Sequence, residues 1–180
     1  MDQTVREFLR ARLDLIDDYN LRQIYEDADM FLISSDIKQV TQALIDAGIN
    51  PINYLNRIPS YFYSNDTKIT DVTIPSNIKH LGRSCYGNCD NLVKVDITEG
   101  VRTLATRCFE SCLNLRTVTL PQSIEMIGPK IFADCPSLHY LSYSGTKSDW
   151  YKIKKVLEWR DQSSLLYVDC IDGRVKFSRK

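Results

Sequence analysis

Broken every 23 residues, the stretch from Ile69 to Ser137 reads ITDVTIPSNIKHLGRSCYGNCDN, LVKVDITEGVRTLATRCFESCLN and LRTVTLPQSIEMIGPKIFADCPS, and LHYLSYSGTKSDW begins a fourth copy at Leu138. The columns align without a gap. Ile69, Leu92, Leu115 and Leu138 open the units, followed by Val72/Val95/Val118/Leu141 and Ile74/Ile97/Leu120/Tyr143. Further along come Ile78/Val101/Ile124, Leu81/Leu104/Ile127, the aromatics Tyr86/Phe109/Phe132 and the thiols Cys89/Cys112/Cys135. One unit is too small to bury its own apolar side, so a repeat of this kind stacks each copy on its neighbours.

The period and the L-x-x-L-x-L-like opening lie in the leucine-rich-repeat range. The ordered set of an I/L-x-I-P strand, V-x-x-I-G, an aromatic and then a Cys resembles the BspA-type (Treponema-type) leucine-rich repeats. The resemblance is tight over 69–143 and looser over about 55–68 and 144–177. It implies a solenoid and is almost silent about ligand, because the repeat serves many binding roles.

The opening of each unit is expected to be a strand. Alternation sends Val72/Ile74 and their column mates inward and leaves Asp71, Thr73, Lys94, Asp96, Thr117, Thr119, Tyr140 and Ser142 on the outer face. These eight are the expected partner-binding residues, with Tyr140 the anchor by residue type. Tyr61 and Tyr63 near the start of the array are secondary candidates. Pro75 and Pro121 end strands by withholding a ladder N–H. Gly82 and Gly128 are expected at a positive-φ turn, with Ala105 breaking the pattern.

Upstream, Thr4 and Glu7 have capping-box spacing, and apolar residues recur at helical intervals through Ile45, ended by Gly48. Leu55, Ile58, Phe62 and Tyr63 fall one period before Ile78, Leu81, Cys85 and Tyr86, the mark of a degenerate half repeat. Downstream, Ser148 is a candidate cap ahead of Trp150, Ile153, Val156 and Leu157, and SLLYVDCIDGRVKF reads as a hairpin joined at Asp172-Gly173. The expected fold is thus α+β: a short leucine-rich-repeat solenoid with an N-terminal helical cap domain and a C-terminal helix and β-hairpin cap. The expected domains are a helical cap or interaction unit over 1–57, the solenoid over 58–143 and the C-terminal cap over 144–180.

The formal charge is zero, so no global field draws the chain to nucleic acid or an anionic membrane. The charges are nonetheless polarised, with 7 basic and 11 acidic side chains in 1–68 and 9 and 5 in 138–180. The helical unit has a helix-turn-helix outline, but its acidity opposes phosphate contact. Lys147, Lys152, Lys154 and Lys155 form a possible basic patch for phosphate or an acidic partner, set against the reading of a solvated helix face. Arg102, Arg107 and Lys130 make a weaker one.

Five of the six cysteines occupy repeat columns, and Ile131 replaces a Cys in the third unit, so the column selects size rather than metal ligation. His80 and His139 lack a nucleophile or base partner at a known spacing, and no phosphate-loop, dinucleotide or zinc-protease motif is present. The N-terminus has no apolar signal-peptide core, and no run approaches the ~18 apolar residues of a membrane span.

The expectation is therefore a non-enzymatic protein-protein interaction module, without metal or cofactor, in a bacterial cytoplasm or in that of a host if phage-encoded. Signal-less short members of the family suggest an inhibitor or adaptor of a host protein. A nucleic-acid-binding or nucleic-acid-mimicking regulator and a surface adhesin remain alternatives, and a homo-oligomer through exposed sheet edges stays open.

Overall fold

The computed structural model describes residues 57–58 and 60–177. Each repeat contributes one strand of four residues and one of two, on different sides of a flattened coil. The longer set comprises β2 (Asp71–Ile74), β4 (Lys94–Ile97), β6 (Thr117–Leu120) and β8 (Tyr140–Tyr143). The shorter comprises β1 (Arg57–Ile58), β3 (His80–Leu81), β5 (Thr103–Leu104), β7 (Met126–Ile127) and β9 (Lys154–Lys155). A hairpin of β10 (Tyr167–Cys170) and β11 (Gly173–Lys176) follows. Two sheets result, one ordered β11-β10-β8-β6-β4-β2 and one ordered β1-β3-β5-β7-β9.

The sequence period sets the register. Asp71 pairs with Lys94 and Lys94 with Thr117, while His80 pairs with Thr103 and Thr103 with Met126. Because strand side chains alternate, a one-period step keeps every aliphatic inside. Val95, Ile97, Val118, Leu120, Leu141 and Tyr143 are accordingly buried. Residues 57–58 and 60–66 enter as half a coil: Arg57 pairs with His80 and Ile58 with Leu81, and the Tyr63 N–H donates to the Cys85 carbonyl at 2.8 Å.

An aromatic ladder runs through the core. Tyr63 and Tyr86 stack at 5.0 Å, Tyr86 and Phe109 at 5.6 Å, and Phe109 and Phe132 at 5.7 Å between centroids. Offset stacking of this kind is worth ~0.5–1.5 kcal/mol per pair beyond the area buried. The thiol column is polar glue rather than filler. Cys89, Cys112 and Cys135 donate to the carbonyls of Tyr63, Tyr86 and Phe109 in the preceding coil at 3.1, 3.1 and 3.0 Å.

The tight turns use the left-handed region at two columns. Tyr61, Ser84, Arg107 and Lys130 form one, with φ between 46° and 60°; Asn65, Asn88, Ser111 and Asp134 form the other, with φ between 55° and 64°. Gly82 and Gly128 do not serve there, contrary to the expectation from sequence. Among the described residues the positive-φ glycines are Gly100 and Gly173. Gly128 is required by proximity instead, since a Cβ there would lie 2.9 Å from the Ala105 carbonyl carbon and the Thr106 nitrogen.

The α+β class is overturned among the described residues. The described residues form an all-β solenoid whose one helix, α1 (Lys147–Lys152), is six residues long. The helical cap expected in the first third lies outside the described residues. At the C-terminal end, the expected cap is mostly a fourth coil lengthened by an insertion. β9 pairs with β7 at Met126↔Lys154, a separation of 28 rather than 23, and β10 rejoins the large sheet at Tyr140↔Tyr167. Thr146 and Asp149 cap α1 reciprocally, turning Trp150 into the core, where it meets Tyr143 at 5.4 Å and Trp159 at 5.7 Å. Trp150 and Ile153 thus fill a coil instead of covering one, while Val156 and Leu157 stay exposed. The hairpin alone then closes the edge, turning at Ile171–Asp172 so that Cys170 pairs with Gly173.

Candidate functional site

The eight outward residues expected from the sequence lie together in two rows on the six-stranded sheet. Asp71, Lys94 and Thr117 are cross-strand neighbours in one row, continued by Tyr140. Thr73, Asp96, Thr119 and Ser142 make the other. Asp96 ties the rows together, receiving the Lys94 ammonium at 2.6 Å and the Thr119 hydroxyl at 3.0 Å. The Lys94 contact first, with the Thr119 bond aiding and desolvation opposing, holds the Asp96 carboxyl below the usual carboxylate range. The same contact raises Lys94. Lys94 is exposed and Asp96 half-buried, so solvent screens the pair and it orients groups more than it stabilises the fold.

The rows do not stop at Ser142. Tyr167 pairs with Tyr140 and Asp169 with Ser142 and Arg174, which adds to the face Tyr167 and Asp169, not expected from sequence, and Arg174, expected only as a charge on the outer edge. The Tyr140 and Tyr167 rings stack at 5.5 Å and 7°. On the far side of Tyr167 the Arg174 guanidinium lies 3.8 Å from the ring centroid. Its Nε and an Nη donate to the two Asp169 carboxylate oxygens at 2.7 and 3.3 Å. Tyrosine and arginine are the side chains that most often dominate a protein interface. The alternation in YVDC and GRVK carried the signal, but the insertion broke the gapless alignment that would have placed it.

The basic patch is dispersed. Lys147 and Lys152 belong to α1 and Lys154 and Lys155 to β9, so the four share no helix face. Lys152 pairs with Asp149 at 2.9 Å. Lys155 folds over the Trp150 ring, 4.5 Å from its centroid, and donates to the carbonyls of Trp150 and Ile153; burial pushes its pKa down to about 8. In the second patch Arg102 pairs with Glu125 at 3.0 Å and Arg107 with Glu110 at 3.2 Å. Tyr61 is exposed beside the first coil, whereas Tyr63 is committed to the aromatic ladder and burial pushes its hydroxyl up to about 12.

Three thiols of the repeat columns, Cys85, Cys89 and Cys112, are made poor nucleophiles by their surroundings. Burial pushes Cys89 up to about 11 and Cys85 well above its ordinary value; Cys112 is raised by the neighbouring Cys135 thiol first and by burial second. All six cysteines are free, and among the described residues no group of three His, Cys, Asp or Glu side chains is placed to hold a metal ion. Nor is any helix among those residues long and apolar enough to cross a membrane. His80 sits on β3 of the small sheet and His139 just before β8, both exposed.

The fold is similar to two solved structures. The leucine-rich repeat protein of T. pallidum aligns over 63% of this chain and 51% of its own, with 21% identity and a TM-score of 0.54. The pneumococcal vaccine antigen PcpA aligns over 70% of this chain and 30% of its own, with 16% identity and a TM-score of 0.52. The chain thus matches about half of the first and under a third of the second. No curated protein matches the sequence at a significant level. Residues 54–154 match the model of the BspA type leucine-rich repeat region in six copies. The chain belongs to the BspA-type leucine-rich repeat family.

Proposed function

We propose that this protein is a non-enzymatic protein-binding module and that the outer face of the six-stranded sheet is its recognition surface. One observation carries the reading: a continuous double row of polar and aromatic side chains is fixed in place by strand register, with the alternate residues of β4, β6 and β8 turned inward. A rigid row of this kind loses little side-chain entropy on association. Tyr140 and Tyr167 supply rigid amphipathic area, and Asp96, Thr119 and Asp169 supply oriented polar groups. The burial that raises Cys85 and Cys89 and the separation of the two surface histidines support a binding role over a catalytic one. Lysines engaged by Asp149 and by backbone carbonyls argue against a phosphate-tracking groove.

Affinity purification from the native host with the full chain as bait tests this reading. A stoichiometric protein complex is expected that Thr119→Arg abolishes and that Lys154→Glu, on the other sheet, leaves intact, both variants keeping the wild-type melting temperature. A complex lost with Lys154→Glu and indifferent to Thr119→Arg would place recognition on the wrong sheet.

A further inference from the structure

The hairpin that closes the array has a free edge of its own. β11 stands at the end of the six-stranded sheet, bonded on one side to β10. Cys170 and Gly173 flank the two-residue turn, and past the end of the strand the Phe177 N–H donates to the Leu166 carbonyl at 2.8 Å. Gly173, Val175 and Phe177 therefore turn their backbone groups toward β10. By alternation the N–H and C=O groups of Arg174 and Lys176 point away from it, and among the described residues no strand meets them.

Natural sheets stop incoming strands with a proline, a bulge or an inward-pointing charge. β11 has none of these: the GRVK register against β10 is unbroken, and the inward residue between the two cations is the buried Val175. Its guard is outward charge alone, and charge discriminates. Antiparallel pairing with the β11 of a second copy would set arginine against lysine on the outer face, which is unfavourable. Arg174 is neutralised by Asp169. Lys176 has no ion-pair or hydrogen-bond partner for its ammonium among the described residues. The Lys147 ammonium is equally unpartnered there; it lies 3.5 Å from where a Gly173 Cβ would stand, on the same side of the strand as Val175. A strand laid antiparallel along this edge thus meets a free cation on the outer face at Lys176 and an apolar strip on the inner face at Val175 and the half-buried Phe177. A neutralised position follows at Arg174, and a second free cation on the inner face at Gly173.

We propose that β11 accepts an extended acidic segment of a partner protein as a seventh strand of the sheet. That segment carries an acidic residue opposite Lys176, an apolar one opposite Val175 and a second acidic residue opposite Gly173, within reach of Lys147. Backbone bonds to Arg174 and Lys176 supply affinity, and the two carboxylates decide which strand is taken. The edge lies beside the recognition face and not on it, so the proposal goes beyond the sheet-face reading and does not depend on it.

Selection of a random twelve-residue peptide library on the immobilised full chain tests the proposal. The selected peptides are expected to share the order acidic, apolar, any, acidic. Lys176→Glu should weaken them by about fivefold or more, and methylating the peptide nitrogens that face β11 by about tenfold or more, while Thr119→Arg leaves them bound. Near-ultraviolet circular dichroism checks that both variants fold, and the methylated peptides leave the protein itself untouched. Peptides that lack the acidic pair, ignore Lys176→Glu or tolerate methylation at every nitrogen overturn the edge. So does recovery of no peptide, or a chain that sediments as a dimer which Lys176→Glu dissolves. Peptides lost with Thr119→Arg alone overturn the edge and leave the sheet-face reading standing.

Discussion

The Cys135 thiol donates to the carbonyl oxygen of Phe109 at 3.0 Å, across a separation of 26 residues. Cys112 to Tyr86 and Cys89 to Tyr63 repeat the bond at the same separation. A small, soft donor fits where neighbouring coils press together, and it satisfies a carbonyl that water cannot reach.

Cys112 sits mid-column, so Cys112→Ala removes both a buried sulfur and the Tyr86 carbonyl's partner. The expected loss of stability is ~1–3 kcal/mol, read by urea unfolding. An unchanged midpoint would mean that the thiol only fills space that an alanine fills equally well.

Lys130 occupies the left-handed region at φ 54° with a full side chain. Lys130→Gly is expected to raise stability by up to ~1 kcal/mol, because the left-handed penalty is removed and only part of it returns as unfolded-chain entropy. Lys130→Ile should lower it by ~1 kcal/mol or more, a β-branched side chain being least compatible with that backbone. Thermal melts of the pair should move in opposite directions.

Asp149 is held down to about 2, chiefly by the Thr146 side chain and then by Lys152. The folded value lies below the ordinary 3.8, so the contribution is fully present above pH 4 and is lost as pH falls toward 2. Trp150 fluorescence reports the helix directly. Its acid transition should soften in Asp149→Asn, which cannot titrate; identical acid profiles would remove the capping role.

Much of the coil was legible because a gapless period carries register with it: once Val95 and Val118 align, Lys94 and Thr117 have no other place to stand. The sequence misled where one residue type has two uses. Gly128 was read for its backbone freedom, yet the nearby Ala105 and Thr106 backbone makes it a matter of space. The fourth coil was misread for a different reason. The inserted α1 lengthens the spacing from Met126 to Lys154 to 28, so apolar residues that continue the core looked like a lid on it. For the same reason Tyr167 and Asp169 were invisible as members of the sheet face, and Arg174 was legible only as a charge on the outer edge.

The constant register also sets how the chain finds this shape. Within the 23-residue array each rung that docks on a formed neighbour closes a loop of the same size however many rungs have formed, and the fourth coil, with its insertion, closes a longer one. Growth is then like winding thread on a bobbin: lengthening the array adds winding time in proportion and leaves the difficulty of each step unchanged.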